Sequence, residues 1–128
     1  MKIEHLAIWV DNLEQMKDWY CQTFDLSAGE KYENPTKGFS SYFLSFASGT
    51  RIELMKRTVI SESPIPRGMI SGFAHFAISV GSKEIVDQMT FDFRAQGTSI
   101  IGEPRTTGDG YYESVIEDPE GNWIEITV

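Results

Sequence analysis

His5 and His75 are the only histidines in the chain. Each stands in a short apolar run, Glu4-His5-Leu6-Ala7-Ile8-Trp9-Val10 and Ala74-His75-Phe76-Ala77-Ile78-Ser79-Val80. Two carboxylates recur in the same way. Glu53 sits in Arg51-Ile52-Glu53-Leu54-Met55 and Glu125 in Trp123-Ile124-Glu125-Ile126-Thr127, separated by almost the same interval as the histidines. A lone strand histidine is ordinarily packed or solvated, and a glutamate between aliphatic residues ordinarily marks the wet side of a strand. Recurrence of the same residue types at matched positions shifts that balance. Two imidazoles and two carboxylates suit a divalent cation of hard-to-borderline character. His5, Glu53, His75 and Glu125 are therefore read as one shared metal site.

The repeat defines the elements that must position these residues. It divides the chain into modules 1–57 and 72–128, joined by a linker over 58–71 that contains Ser61-Glu62-Ser63-Pro64-Ile65-Pro66-Arg67-Gly68. In the first module Leu13, Met16, Tyr20 and Phe24 recur at helical spacing, with Asp11 as cap and Glu14 three residues on. In the second, Ser82 caps a helix whose apolar face is Ile85, Val86, Met89 and Phe93, and Gly97 suits the left-handed position beyond it. Short strands are expected over 41–47, 50–56, 99–102, 111–117 and 122–128, and a weaker one near 26–32. The 47–50 and 118–122 stretches read as hairpin turns. Each module is then βαβββ, an α+β architecture. Strand alternation puts Leu6, Ile8, Val10, Ile52 and Leu54 on the face toward the helix, and His5, Ala7, Trp9 and Glu53 opposite. Phe76, Ile78, Val80, Ile124 and Ile126 divide from His75 and Glu125 in the same way. A sheet curled with the second face concave lets the four ligands converge.

Composition narrows the partners. The 128 residues suit one domain of two similar halves, and a hydrophobic content of 41% supports a packed core. A net charge of −8 argues against nucleic acid or an anionic membrane as the main partner. The single cysteine, Cys21, excludes an internal disulfide and reads as packing on the first helix. No run of about 18 apolar residues occurs and no charged-then-apolar leader precedes His5, so the expected compartment is the cytoplasm. Open sheet edges favour a homodimer.

These features resemble the vicinal oxygen chelate superfamily, and within it glyoxalase I. The resemblance rests on the paired βαβββ modules, the histidine of each first strand, the glutamate of each last strand and the Asp118-Pro119-Glu120-Gly121-Asn122 turn, and it runs the full chain. It implies the glyoxalase/bleomycin resistance/dioxygenase fold with curved mixed sheets. It also implies a Ni²⁺ or Zn²⁺ ion on His5, Glu53, His75 and Glu125, with Glu125 as catalytic base assisted by Glu53. The implied reaction moves a proton between adjacent carbons of a glutathione–2-oxoaldehyde hemithioacetal through an enediolate, giving a 2-hydroxyacyl thioester.

The chain departs from that pattern where glutathione is held. Trp9 stands where the family has an arginine, Arg57 where it often has an asparagine, and Thr107 near an expected lysine, with Arg105 the nearest cation. An indole does not pair with a carboxylate as a guanidinium does. Trp9, Arg57, Arg105 and Tyr111 are therefore the candidate substrate contacts, for glutathione or another thiol. Residues 106–112, glycine-rich and aromatic, read as a flap or as a hairpin connection. The rival readings are another metalloenzyme of the superfamily (an epimerase, a thiol transferase or a dioxygenase) and a metal-free small-molecule binding or resistance protein.

Overall fold

Apolar alternation decides which way each strand faces, and the computed structural model, which describes residues 2–61 and 63–128, follows it. The chain divides into two compact units, Met1–Glu62 and Ser63–Val128. In the first, β1 (His5–Trp9) leads into α1 (Leu13–Phe24), then β2 (Ser27–Ala28), β3 (Tyr32–Asn34), β4 (Phe39–Ser45) and β5 (Arg51–Arg57). The strand order is β1-β5-β4-β2, with β3 also paired to β4. Only β1 and β5 run parallel; the other pairs are antiparallel. Ile8, Val10, Leu44, Ile52 and Leu54 are buried on the side where α1 packs on β4 and β5, together with Leu13, Met16 and Tyr20.

The expected strand near 26–32 is broken in two. Ala28 pairs with Leu44 and Tyr32 with Ser41, so three residues stand opposite two, a bulge that bends the edge of the sheet. The helix cap lies one residue beyond the expected Asp11. Asn12 accepts from the Gln15 amide at 3.2 Å and its own amide donates to the Gln15 side chain at 3.2 Å. Glu14 is drawn away instead. Tyr42 donates to it at 3.1 Å and Lys31 pairs with it at 3.1 Å, and the Lys31 contact holds its carboxyl below the usual range.

The second unit contains β6 (His75–Ser79), α2 (Lys83–Ala95), β7 (Ile100–Thr106), β8 (Tyr112–Glu117) and β9 (Trp123–Thr127) in the order β6-β9-β8-β7. Again only the first and last strands, β6 and β9, are parallel. Strand β7 runs further than the expected 99–102, and tolerates Pro104 because it is an edge. Ser82 caps α2 as expected, accepting from the Ile85 amide at 3.4 Å, and Gly97 takes a φ of 84° just past its end. The buried face differs from the expected one. Ile85 is 44% exposed, while Thr90 is buried. The Thr90 hydroxyl donates to the Val86 carbonyl at 2.7 Å and lies 2.7 Å from the Ser114 hydroxyl, so its burial leaves no polar atom unpaired. Around this pair sit Val86, Phe93, Ile116, Ile124 and Ile126, all buried.

The second unit begins at Ser63 by its contacts, earlier than the repeat suggests. Arg67 donates to the Asn122 side chain at 2.7 Å, and Gly68 lies so close to the Trp123 indole that a Cβ there would overlap the ring. The linker is thereby tied to the turn before β9. Among the described residues no helix is long and apolar enough to cross a membrane.

Burial sets the expected stability changes. Ile124→Ala should cost about 2–5 kcal/mol in urea unfolding, while Ile85→Ala should stay within about 0.5 kcal/mol. Equal losses at the two positions would contradict the α2 orientation.

Candidate metal centre

One register, used twice, builds the site. Across β1 and β5, Ala7 stands opposite Glu53; across β6 and β9, Ala77 stands opposite Glu125. Each histidine lies two residues before its alanine, on the same face. The small alanine leaves the imidazole and carboxylate free to approach along a diagonal. His5 Nε2 comes within 3.8 Å of Glu53 Oε2, and His75 Nε2 within 3.3 Å of Glu125 Oε2. The carboxylates are sunk, with side chains 16% and 15% exposed, and the histidines stand at the rim. The structure thus joins His5 with Glu53 in one unit and His75 with Glu125 in the other. Among the described residues no group of three or more His, Cys, Asp or Glu side chains is arranged to hold a metal ion.

The surroundings of the pairs differ. His5 Nδ1 donates to Glu4 Oε2 at 2.5 Å, which turns Nε2 toward Glu53. Glu4 is itself bonded by Arg51, and the His5 and Arg51 bonds together hold its carboxyl below the usual range. The Arg51 guanidinium lies 4.2 Å from the centre of the Phe43 ring, whose centroid is 5.3 Å from that of His5. A histidine whose second nitrogen is held by a carboxylate has the arrangement that orients metal-ligating imidazoles.

In the second unit the support goes to the glutamate. Glu113 is buried on β8, two residues before Val115, which stands opposite Glu125. Arg105 Nη2 donates to Glu113 at 3.1 Å. Register shifts in β7 between Ile100 and Arg105 bring that arginine opposite Glu113, with its guanidinium lying over Gly102. Burial first, then the charge and hydrogen bond of Glu113, push the Glu125 carboxyl above its ordinary value, against the opposing pull of His75 and Arg105.

The candidate substrate contacts fall in different settings. Trp9 shares the face of His5 and Glu53, with its ring 6.2 Å from Phe39 and edge-on to it. Arg57 ends β5 opposite Phe39 on that same face. Arg105 is engaged with Glu113. Tyr111 is 59% exposed in the turn between β7 and β8. That turn is a hairpin connection, closed by Thr107 N donating to Tyr111 O at 2.8 Å and Gly110 N to Thr107 O at 3.0 Å. Cys21 is partly buried, and burial raises its thiol above the ordinary value, which disfavours a nucleophilic role. Glu4, Arg51 and Glu113 were not singled out from the sequence. Their signals were adjacency to His5 for Glu4, and strand parity with the proposed ligands for Arg51 and Glu113.

Comparison with known proteins extends this picture. The family model described as Glyoxalase/Bleomycin resistance protein/Dioxygenase superfamily matches residues 2–126. The chain belongs to that superfamily. Its α+β architecture of two modules with mixed sheets is the superfamily fold. A superfamily domain from a Frankia species superposes with a TM-score of 0.83 at 15% identity, covering 100% of this chain and 97% of that one. The trypanothione-dependent glyoxalase I of Leishmania major superposes with a TM-score of 0.78 at 22% identity, covering 99% and 86%. In sequence, a lactoylglutathione lyase of Arabidopsis thaliana is 28% identical over 126 residues, which are 95% of this chain and 42% of that protein. The superfamily domain described here therefore spans less than half the length of that relative.

The raised Glu125 carboxyl has a consequence for stability. A carboxyl whose folded pKa lies above its unfolded value contributes stability that is complete below the ordinary 4.5 and lost as pH rises through the folded value. Glu125→Gln should therefore raise the melting temperature of metal-free protein at neutral pH, and the gain should vanish near pH 3, where the native carboxyl is protonated in both states. Thermal unfolding in a chelating buffer at several pH values checks this; a loss of stability at neutral pH would contradict it.

Proposed function

We propose that His5, Glu53, His75 and Glu125 hold one divalent cation, Ni²⁺ or Zn²⁺, and that the protein is a glyoxalase I-like lyase. The observation carrying this reading is the His–Glu pair formed in each unit by the same register, with alanine opposite each glutamate. The donor chemistry fits. Two imidazoles and two carboxylates satisfy a borderline cation, and the Glu4 bond orients the first imidazole. The pairs would meet within one domain of two modules, or across a homodimer. The name of the Arabidopsis relative supports the reaction class. The proposed compartment is the cytoplasm.

When bound, the cation would supply Lewis-acid stabilisation of an oxyanion beside a carbonyl. The chain's own residues would do the rest. Glu125 would take the proton from the hemithioacetal carbon that bears sulfur and hydroxyl, and return it to the neighbouring carbonyl carbon. One C–H bond breaks and one forms, and a second proton passes from the hydroxyl of the first carbon to the oxygen of its neighbour, so no oxidant or reductant is needed. The product is a 2-hydroxyacyl thioester. Burial and Glu113 raise the Glu125 carboxyl, which strengthens it as a proton acceptor. Glu53 would assist, and Arg105 would act through Glu113 to orient Glu125. Trp9, Arg57 and Tyr111 remain the proposed substrate contacts, with glutathione or another thiol as carrier.

Protein purified without chelator or affinity tag should contain, or take up, one equivalent of Ni²⁺, Zn²⁺ or Co²⁺. His5→Ala and His75→Ala should each weaken uptake more than about 100-fold. Thioester should form from methylglyoxal and at least one member of a small thiol panel, and Glu125→Gln should abolish it while metal remains bound. Failure to take up any of the three metals would remove the proposal in favour of a binding protein. Metal uptake without thioester from any thiol would shift it to another reaction of the superfamily.

A further inference from the structure

We propose that the first unit binds the far end of its substrate as a flat aromatic body carrying a single negative charge, so that the preferred substrate is an aryl-bearing monoanion rather than a glutathione conjugate. The proposal rests on the metal-lyase reading for the reacting end alone.

The sheet face that bears His5 and Glu53 is laid out in rows by strand register. The first row holds Ala7, Glu53 and Phe43. The next crosses four strands as Trp9, Met55, Ser41 and Tyr32. The third holds Arg57, Phe39 and Asn34. Successive rows are two residues apart, about 7 Å along the strands. Phe39 lies 6.2 Å from Trp9 and 6.1 Å from Tyr32, centroid to centroid. Trp9, Phe39 and Tyr32 therefore stand on three sides of Met55 and Ser41, and the row of Glu53 and Phe43 stands on the fourth. Ser41 is buried and small, and forms the floor between the larger side chains. Tyr32 stays 55% exposed, and Trp9 and Phe39 are only partly covered. Aromatic surface kept in water around a small buried residue suits stacking of a planar ligand.

Charge sets the other half of the specificity. Of the arginines on this face, Arg51 is bonded to Glu4. Arg57 forms no ion pair among the described residues, although the chain carries 19 acidic side chains. The Asn34 side chain is already used, accepting from the Lys37 amide at 3.1 Å and donating to the Tyr32 hydroxyl at 3.4 Å. One uncommitted guanidinium matches one carboxylate. A glutathione conjugate brings two carboxylates and two peptide groups, and among the described residues this face offers them one arginine outside an ion pair and an apolar wall. Arg57 lies four residues beyond Glu53, about 13 Å along the strand. That is room for an aromatic ring system between the reacting carbons and the terminal anion.

The test is calorimetric titration of chelator-treated full-length protein with 3-(2-naphthyl)propanoate, its neutral amide and S-methylglutathione. The naphthyl acid should bind about tenfold or more tightly than either comparator. Arg57→Gln should remove the advantage of the acid over the amide and leave amide binding unchanged. Trp9→Ala should weaken acid and amide alike by about tenfold, and Trp9→Phe, which preserves an aromatic ring should the alanine variant fail to fold, should weaken them less. S-methylglutathione binding as tightly as the naphthyl acid, or naphthyl binding indifferent to Arg57→Gln and Trp9→Phe, would overturn the proposal. Metal uptake by the same preparation separates the two readings. Metal-dependent thioester formation without naphthyl binding defeats the substrate inference alone, whereas naphthyl binding by protein that takes up no metal supports it and defeats the lyase reading.

Discussion

The candidate metal site of this chain depends on a parallel pairing of first and last strands, made once in each unit with the same register. That register sets alanine against glutamate and leaves the histidine two residues away on the same face. A slip of one residue would turn every side chain of the strand to the other face. It would place Leu6 and Ile8 in water and His5 in the core. The aliphatic residues that alternate with the proposed ligands therefore guard the candidate site as well as the stability. Ile52, Leu54, Ile124 and Ile126 are all buried, and each borders Glu53 or Glu125 in sequence.

Duplication supplied two equivalent pairs, and their surroundings have since diverged. In the first unit the histidine is supported, by Glu4 and through it Arg51. In the second the glutamate is supported, by Glu113 and through it Arg105. Burying a second carboxyl beside Glu125 opposes its ionisation, and Arg105 only partly offsets this. Such an arrangement is costly in a metal-free protein and strengthens the carboxyl as a proton acceptor. The asymmetry gives a physical basis for proposing different roles for Glu53 and Glu125, although their positions in the repeat are the same.

Much of the frame was legible. Period-2 alternation identified the faces of β1, β5, β6 and β9, and helical spacing identified Met16, Tyr20 and Phe93 as inward. The misreadings share a cause. Asp11 has the residue type and the Glu14 spacing of a cap, but Glu14 is claimed by Lys31 and Tyr42, which lie far along the chain. Ile85 fits the helical spacing of Val86, Met89 and Phe93 yet is exposed, while Thr90 is buried with its hydroxyl against Ser114. In each case a polar contact between distant residues outweighed local propensity.

The sequence by itself determined the repeat, the residue types that recur in it and the side of each strand they occupy, because alternation and helical period are local properties of the chain. Only the tertiary structure decided that Ala7 and Ala77 face the glutamates, that Arg105 serves Glu113, that Arg57 stands opposite Phe39, and that Arg67 and Gly68 tie the linker to the β9 turn. Those facts depend on register, and register depends on bulges and turns whose effect is to slide one strand past another. A strand's own residues set which way its side chains point; which neighbour they meet is set by the strand beside it.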